Sequence, residues 1–141
     1  MKTVGDLVRG RDVYYVRDGQ TVREVARYMT ERRVGAVVVM SGDRLAGILS
    51  ERDIVGALAR HGERAISMTA GELMTRPVQS CRPEDTIEQV MQVMTKRRFR
   101  HLPVLEDGQL TGIISIGDVV KSSLDQLQFE RDQLDSYVHQ T

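Results

Sequence analysis

The heptapeptide GILSERD, Gly47–Asp53, returns 65 residues later as GIISIGD, Gly112–Asp118. Each copy is a short apolar run followed by serine, two variable residues and aspartate. Serine with an acidic residue three positions later begins many helices, because the two side chains cap backbone N–H groups of the first turn. Repetition at a fixed distance adds a second interpretation, in which the two stretches are the halves of a binding site.

The 65-residue shift extends well beyond these heptapeptides. It aligns residues 21–55 with residues 86–120 without a gap, and many of the aligned residues are identical. The heads of the two copies, Val4–Val8 and Ala70–Met74, match more loosely, with the shift changed by one residue. Self-similarity at one fixed period indicates a tandem duplication.

Each copy predicts the same series of elements. A capping box, Thr21 with Glu24 or Thr86 with Gln89, begins an amphipathic helix whose methionine-bearing stripe we expect in the core. Before each of these helices we expect a short strand, and after it a β-hairpin and a second helix that starts at the serine of the heptapeptide. The predicted first strands are Val13–Val16 and Val78–Cys81, and the hairpin strands are Ala36–Met40, Leu45–Leu49, Leu102–Leu105 and Leu110–Ile114.

The predicted fold class is therefore α+β (α/β), with two β-α-β-β-α motifs and a C-terminal helix. Neither copy can bury a sufficient core by itself, so we expect the two to pack sheet to sheet about a pseudo-twofold axis. The first motif is placed at residues 1–66, the second at 67–124 and a helical extension at 125–141. Pro103 lacks an N–H donor, so its strand is expected at a sheet edge.

The extension carries a heptad-like stripe with one charged interruption. This stripe is expected either to lie on its own domain or to form a dimer contact. Its members are Val120, Leu124, Leu127, Arg131, Leu134 and Val138.

Composition narrows the classes of function. Twenty basic and twenty acidic residues give a formal charge of zero, so the chain has no electrostatic attraction for nucleic acid or an anionic membrane. Cys81 is the only cysteine, and it is expected to be a buried, inert thiol in a reducing compartment. The N-terminus lacks the pattern of a secretory signal and Val34–Met40, the longest apolar run, is too short to span a membrane. We therefore expect a cytoplasmic protein.

The tandem heptapeptides, the repeated element pattern and FRHLPV at Phe99–Val104 resemble a CBS-domain pair, or Bateman module, from Val4 to about Leu124. The continuation resembles bacterial stand-alone CBS pairs. The resemblance implies a non-enzymatic regulatory module that holds an adenosine-containing ligand in clefts between the two copies. AMP is the first expectation, with ADP, ATP and NAD(H) as alternatives and no metal required. It also implies a homodimer and an unidentified effector protein.

The resemblance also implies roles for individual residues. Asp118 and Asp53 would hold the ribose hydroxyls, as an acidic residue does in dinucleotide folds. The phosphate and ribose side would be formed by helix starts and basic side chains, namely Ser115, Ser50, Arg98, Arg100, His101, Ile116 and Gly117. The base side would be formed by Thr75, Arg76, Pro77, Val78, Asp12, Val13 and Tyr14.

The two copies differ on the phosphate side. Arg100 and His101 correspond to Gly35 and Ala36, so we expect the Asp118 cleft to be the stronger nucleotide site. The Asp53 cleft is expected to be weaker, empty, or served by basic residues of the other copy. Three other functions compete with this one. The first is a structural homodimerisation module with empty clefts. The others are a nucleotide hydrolase, for which no catalytic residues or metal-ligand spacing are present, and nucleic-acid binding, which the neutral charge disfavours.

Overall fold

The computed structural model describes residues 2–140 of the chain. Met1, the first residue of the predicted first motif, and Thr141, the last of the predicted extension, lie outside the described residues. The first copy consists of α1 (Val4–Val8), β1 (Tyr15–Arg17), α2 (Val22–Arg32), β2 (Ala36–Ser41), β3 (Arg44–Ser50) and α3 (Glu51–His61). After a 3₁₀ helix at Gly62–Ser67, the second copy consists of α4 (Ala70–Leu73), α5 (Ile87–Arg97), β4 (His101–Glu106), β5 (Gln109–Ser115) and α6 (Ile116–Gln140).

Helices α2 and α5 form as the sequence predicts. Thr21 and Thr86 each accept a hydrogen bond from the backbone N–H three residues later, and both capping boxes are complete. The methionines Met29 and Met94 are buried, which confirms that their stripe belongs to the core. The fold class is confirmed as well, since two α+β repeats are followed by a C-terminal helix.

The first strand of the second copy is not formed, and this prediction was wrong. The first copy has a three-stranded sheet in the order β1-β2-β3, but the second has only β4 and β5. The N–H of Val38 donates to the carbonyl of Tyr14 at 3.5 Å, whereas the equivalent residue, Pro103, has no N–H to donate. Val78–Cys81 is therefore reduced to a single bridge, in which the N–H of Cys81 donates to the carbonyl of Pro103 at 2.9 Å.

The two copies exchange their leading helices. Val4 and Val8 of α1 are buried in the core of the second copy, beside Val90 and Ile114. Ala70 of α4 is buried in the core of the first copy in the same way. Each core thus contains a segment that the other copy supplies, and this exchange joins the two repeats.

The glycine that opens each heptapeptide makes room for the exchanged segment. A Cβ atom on Gly47 would lie 2.6 Å from the sulfur of Met74, and one on Gly112 would lie 3.1 Å from the Cβ of Val8. A larger residue in place of Gly47 would collide with Met74, which directly follows α4. A larger residue in place of Gly112 would collide with Val8, the last residue of α1. The glycines are therefore requirements of packing.

The last helix, α6, continues without a break through the predicted start of the extension. Ser122 is buried, but every side chain from Leu124 to His139 is exposed. Gln126, Leu127 and Glu130 nevertheless line a cavity with residues of the body of the domain, so both alternatives for the extension stay predictions. Across residues 2–140, no helix combines the length and apolar character that crossing a membrane requires.

Candidate functional site

In the first copy, the serine and aspartate of GILSERD cap the start of α3. The N–H of Ser50 donates to Oδ2 of Asp53 at 2.9 Å, and the N–H of Asp53 donates to Oγ of Ser50 at 3.3 Å. The second carboxylate oxygen, Oδ1, accepts a hydrogen bond from the hydroxyl of Thr75 at 3.3 Å. The capping interpretation is thus confirmed, and one carboxylate oxygen is still directed at a residue outside the cap.

The second copy repeats the cap at the start of α6. The N–H of Ser115 donates to Oδ2 of Asp118 at 2.9 Å, and the N–H of Asp118 donates to Oγ of Ser115 at 3.1 Å. The additional partner is different, because Arg11 forms an ion pair with Asp118 through Nη1 and Oδ2 at 3.0 Å. The partner of Asp53 is a neutral hydroxyl, whereas the partner of Asp118 is a full positive charge.

Asp53 opens into a cavity of about 500 Å³ between the two copies. The first copy contributes the end of β3 and the first turn of α3, and the second copy contributes the connection from α5 to β4. We call this cavity the Asp53 cleft. It is lined by Gly35, Ile48, Ser50, Glu51, Arg52, Asp53, Thr75, Arg98, Phe99, Arg100 and His101.

The basic residues of the second copy therefore lie in the cleft of the first. Arg98, Arg100 and His101 line the same cavity as Asp53 and Ser50. This lining corresponds to the alternative in which basic residues of the other copy serve the Asp53 cleft, because the contact between the copies places this connection against the start of α3. The residues that are equivalent to Arg98–His101 in the first copy, Arg33–Ala36, include only one basic side chain.

The predicted base-side residues separate into three groups. Thr75 lines the Asp53 cleft, but its backbone N–H and carbonyl are both hydrogen-bonded to Ile48, at 2.8 and 3.2 Å. Three others line a different cavity, beside Leu45 and Leu105, namely Arg76, Pro77 and Val78. The remaining three lie outside the lining of the Asp53 cleft and next in sequence to Arg11, namely Asp12, Val13 and Tyr14.

Tyr14 packs within the first copy. Its ring contacts the ring of Tyr28 edge-on, with centroids 6.4 Å apart, and its carbonyl accepts from Val38. The structure thus brings one of the seven predicted base-side residues, Thr75, to the Asp53 cleft.

Electrostatics distinguish the residues around the two heptapeptides. Burial raises the pKa of Asp118, but hydrogen bonds from Arg11 and from Ser115 outweigh burial, so the pKa lies below its usual range. Burial lowers the pKa of His101, and Arg100 lowers it further, against the opposing effect of the Asp118 and Glu51 carboxylates. The lowered pKa favours the neutral form of the His101 imidazole.

Other candidate groups have structural roles. Cys81 is buried, and burial raises the pKa of its thiol to about 12, which confirms the prediction of an inert thiol. Residues 2–140 contain no group of three or more His, Cys, Asp or Glu side chains arranged to hold a metal ion.

Four residues that lie around the two heptapeptides were not predicted from the sequence. Glu51, Arg52 and Phe99 line the Asp53 cleft, and Arg11 holds Asp118. Glu51 and Arg52 were visible as the variable positions of GILSERD, where the second copy has Ile116 and Gly117. Phe99 was part of the FRHLPV match but was not assigned to a site. Arg11 carried no signal, since its contact depends on the exchange of the leading helices.

Comparison with known proteins identifies the family of this chain. The family model of the CBS domain matches the chain twice, at residues 4–60 and 70–125. The mitochondrial CBS domain-containing protein CBSX3 of Arabidopsis thaliana is 34% identical over an alignment of 143 positions, which covers 98% of this chain and 69% of that protein.

Solved structures give the same result. A CBS-domain containing protein from Agrobacterium tumefaciens is 42% identical, with a TM-score of 0.82 over 86% of this chain and 99% of that one. CBSX2, solved in complex with AMP, is 27% identical, with a TM-score of 0.75 over 89% of this chain and 98% of that one. CBS pairs are generally regulatory modules without catalytic activity. With two family matches that together cover most of its residues, this chain belongs to the CBS-domain family and forms a CBS pair.

Proposed function

We propose that this CBS pair senses an adenosine nucleotide, AMP first, by binding it in the Asp53 cleft. One observation carries the proposal. A carboxylate that can accept hydrogen bonds from a ribose, a helix N-terminus and a group of cationic side chains all line one cavity of about 500 Å³. That volume is within the range of small-molecule sites. ADP, ATP and NAD(H) share the adenosine and stay as alternatives.

The ribose would be held by Asp53. Its Oδ2 is engaged by the cap, whereas Oδ1 accepts only a weak 3.3 Å bond from the hydroxyl of Thr75 in this structure. A carboxylate with a displaceable partner can accept hydrogen bonds from a vicinal diol. The Thr75 hydroxyl can then rotate toward the ligand.

The phosphate would lie between the start of α3 and the basic connection of the second copy. Arg52, Arg98 and Arg100 supply three positive charges to the lining, against two negative charges from Glu51 and Asp53. The positive end of the α3 dipole adds to the attraction for an anion. Charge-assisted hydrogen bonds from arginine to phosphate are stronger than bonds between neutral groups.

The relative solved with AMP supports the choice of ligand, since it shares the fold over 89% of this chain. The Asp118 cleft is proposed as a weaker second site, formed by Ser115, Ile116, Gly117 and Asp118. Arg11 is ion-paired to Oδ2 of Asp118, the oxygen that also caps α6, so its positive charge competes with a ribose for this carboxylate.

Binding becomes a signal only where the two conformations of the module differ in their affinity for the nucleotide. The output would pass to an effector protein, and the module would act as a homodimer in the cytoplasm. The free, buried thiol of Cys81 suits a reducing compartment.

Isothermal titration calorimetry with AMP, ADP, ATP, NAD and NADH tests the proposal. We expect AMP to bind, Asp53→Ala to weaken binding at least tenfold, and Asp118→Ala to leave the stronger affinity within about twofold. Asp118→Ala is the matched control, because it alters the equivalent cap in the other copy. Wild-type affinity in Asp53→Ala would show that the site assignment is wrong.

The competing function is a structural homodimerisation module. Exposed apolar side chains on α3 and α6 favour it. Val55 and Val120 are equivalent in the repeat, and Leu58 and Leu124 lie about one turn further along the two helices. This alternative predicts a dimer by light scattering and no heat with any of the five nucleotides, so one set of measurements distinguishes the two functions.

A further inference from the structure

Glu51 places a carboxylate on the phosphate side of the Asp53 cleft. It is the first residue of α3, and it lines the cavity together with Arg98 and Arg100. The second copy has Ile116 at the equivalent position, so the repeated cap does not require an acid there. A negative charge beside the proposed phosphate site is therefore a property of this cleft rather than of the repeat.

The carboxylate of Glu51 lies where an extended ligand would leave the cleft. A Cβ atom on Gly35 would be 3.6 Å from Oε1 of Glu51, so the carboxylate lies against the residue that precedes β2. Burial lowers the pKa of His101, and the charges of Asp118 and then Glu51 oppose this, so the carboxylate also acts on that imidazole. Glu51 is exposed whereas Asp53 is half-buried, which places Glu51 nearer the cleft opening than the proposed ribose partner.

The charge of Glu51 is available to act on a ligand. Among residues 2–140, the carboxylate forms no ion pair, although three arginines line the same cavity. An exposed like charge repels an anion over about a Debye length, roughly 10 Å at 0.1 M salt. A second or third phosphate near the opening would therefore meet this repulsion.

The start of α3 has few N–H groups left for a chain of phosphates. The N–H of Glu51 donates to the carbonyl of Gly35 at 3.0 Å, and the N–H of Asp53 donates to Oγ of Ser50 at 3.3 Å. Two of the first three N–H groups of the helix are thus already donated, and these are the groups with which helix starts bind anions. Additional phosphates would depend on the arginine side chains alone.

We propose that Glu51 makes the Asp53 cleft select a nucleoside monophosphate over a diphosphate or triphosphate. The inference rests on the proposed function and assigns a preference among the nucleotides which that function leaves open. The first phosphate lies against the positive charges of Arg52, Arg98 and Arg100, whereas each further phosphate brings negative charge toward the exposed carboxylate.

A purely structural role for Glu51 predicts a different result. An acidic residue in the first turn stabilises a helix through the helix dipole. Glu51→Gln would then lower the free energy of unfolding slightly and change the affinities for AMP and ATP by the same factor. The ratio of the two affinities therefore distinguishes selection from capping.

Calorimetry with AMP, ADP and ATP in EDTA, which keeps divalent cations off the phosphates, tests the preference. Wild type should bind AMP more tightly than ATP, and Glu51→Gln should reduce this preference about tenfold, mainly through tighter ATP binding. Glu51→Asp keeps the charge and should keep the preference. Raising the KCl concentration should narrow the wild-type preference, because salt screens the repulsion.

Glu63→Gln is the matched control, because it removes the same charge from an exposed glutamate outside the lining of the cleft. It should leave the ratio of AMP to ATP affinity at the wild-type value. A wild-type preference for ATP, an unchanged ratio in Glu51→Gln, or equal ratios in Glu51→Gln and Glu63→Gln would overturn the inference while nucleotide binding itself stands. No heat with any nucleotide, in wild type and in Glu51→Gln, would overturn the proposed function and the preference together.

Discussion

Arg11 and Asp118 form an ion pair for which the first cleft has no equivalent. The guanidinium lies 3.0 Å from Oδ2 of Asp118, whereas the partner of Asp53 outside its own cap is the hydroxyl of Thr75. The side chains of Arg11 and Asp118 are 45% and 21% exposed, so solvent screens the pair in part. Asp53 and Asp118 are equivalent in the repeat, but outside their caps one has a neutral partner and the other a positively charged one.

We predict that Arg11→Gln makes stability less dependent on pH in the acid range. The pKa of Asp118 is below its unfolded value, so its interactions stabilise the fold above pH 3.8, and this stabilisation is lost as pH falls through the folded pKa. The variant should therefore be less stable than wild type at pH 7 and should approach it in strong acid. Urea unfolding at pH 7 and at about pH 2 measures both differences.

Arg44→Gln is the control, because Arg44 is an exposed arginine without an ion pair to Asp118. Calorimetry on Arg11→Gln adds a second readout, an increase in nucleotide affinity at the weaker site. An unchanged pH profile would show that the ion pair contributes nothing to folding stability.

At the scale of elements, the contact between α1 and β5 depends on the absence of a side chain at Gly112. The Cβ of Val8 would lie 3.1 Å from a Cβ at this position, and its Cγ2 would lie 3.3 Å away. Valine is stiff at χ1, so it cannot rotate away freely.

We therefore predict that Gly112→Ala lowers the free energy of unfolding by about 1–3 kcal/mol, the usual cost of overpacking a core. Gly19→Ala is the matched control, since a Cβ on Gly19 would have no atom within 4 Å. Urea denaturation of both variants gives the two free energies. Equal stability of the two variants would contradict the close contact with α1.

The observed helices and strands show how much of the fold the sequence predicts. The 65-residue shift predicts both hairpins and four helices, because capping boxes and apolar periods are local signals. It fails at Val78–Cys81, where strand propensity exists but the neighbouring strand has no donor at Pro103. Pro103 predicts a sheet edge, and its missing N–H also removes a hydrogen bond that the neighbouring strand would need.

The site was harder to predict than the fold for a physical reason. Sequence repetition shows which residues of the two copies are equivalent. It does not show which residues of one copy lie against the heptapeptide of the other. Arg98, Arg100 and His101 follow the second copy's helix, yet they line the cleft of Asp53. Only the three-dimensional contact between the copies contains that information.

At the scale of the whole molecule, the exchange of α1 and α4 makes the two copies interdependent. Residues 1–66 lack Ala70, which is fully buried in the core of the first copy. Residues 67–141 lack Val4 and Val8, which are buried in the core of the second. Neither proposed motif should therefore be a stable domain by itself.

We predict that fragments 1–66 and 67–141 are each largely unfolded and regain structure when mixed. Circular dichroism and amide hydrogen exchange on each fragment and on the equimolar mixture measure this. The matched control is the mixture with Val4→Asp in the first fragment, which should prevent recovery by burying an unpaired charge. Cooperative unfolding of either fragment alone would contradict the prediction.

The exchange also sets an order of events during synthesis on the ribosome. Val4 and Val8 share a core with Val119, which is made more than a hundred residues later. At roughly 5–20 residues per second, these valines wait on the order of ten seconds for the rest of their core. Throughout that interval the nascent chain exposes an apolar segment, so a chaperone that holds this segment would assist the chain most before the second copy is complete.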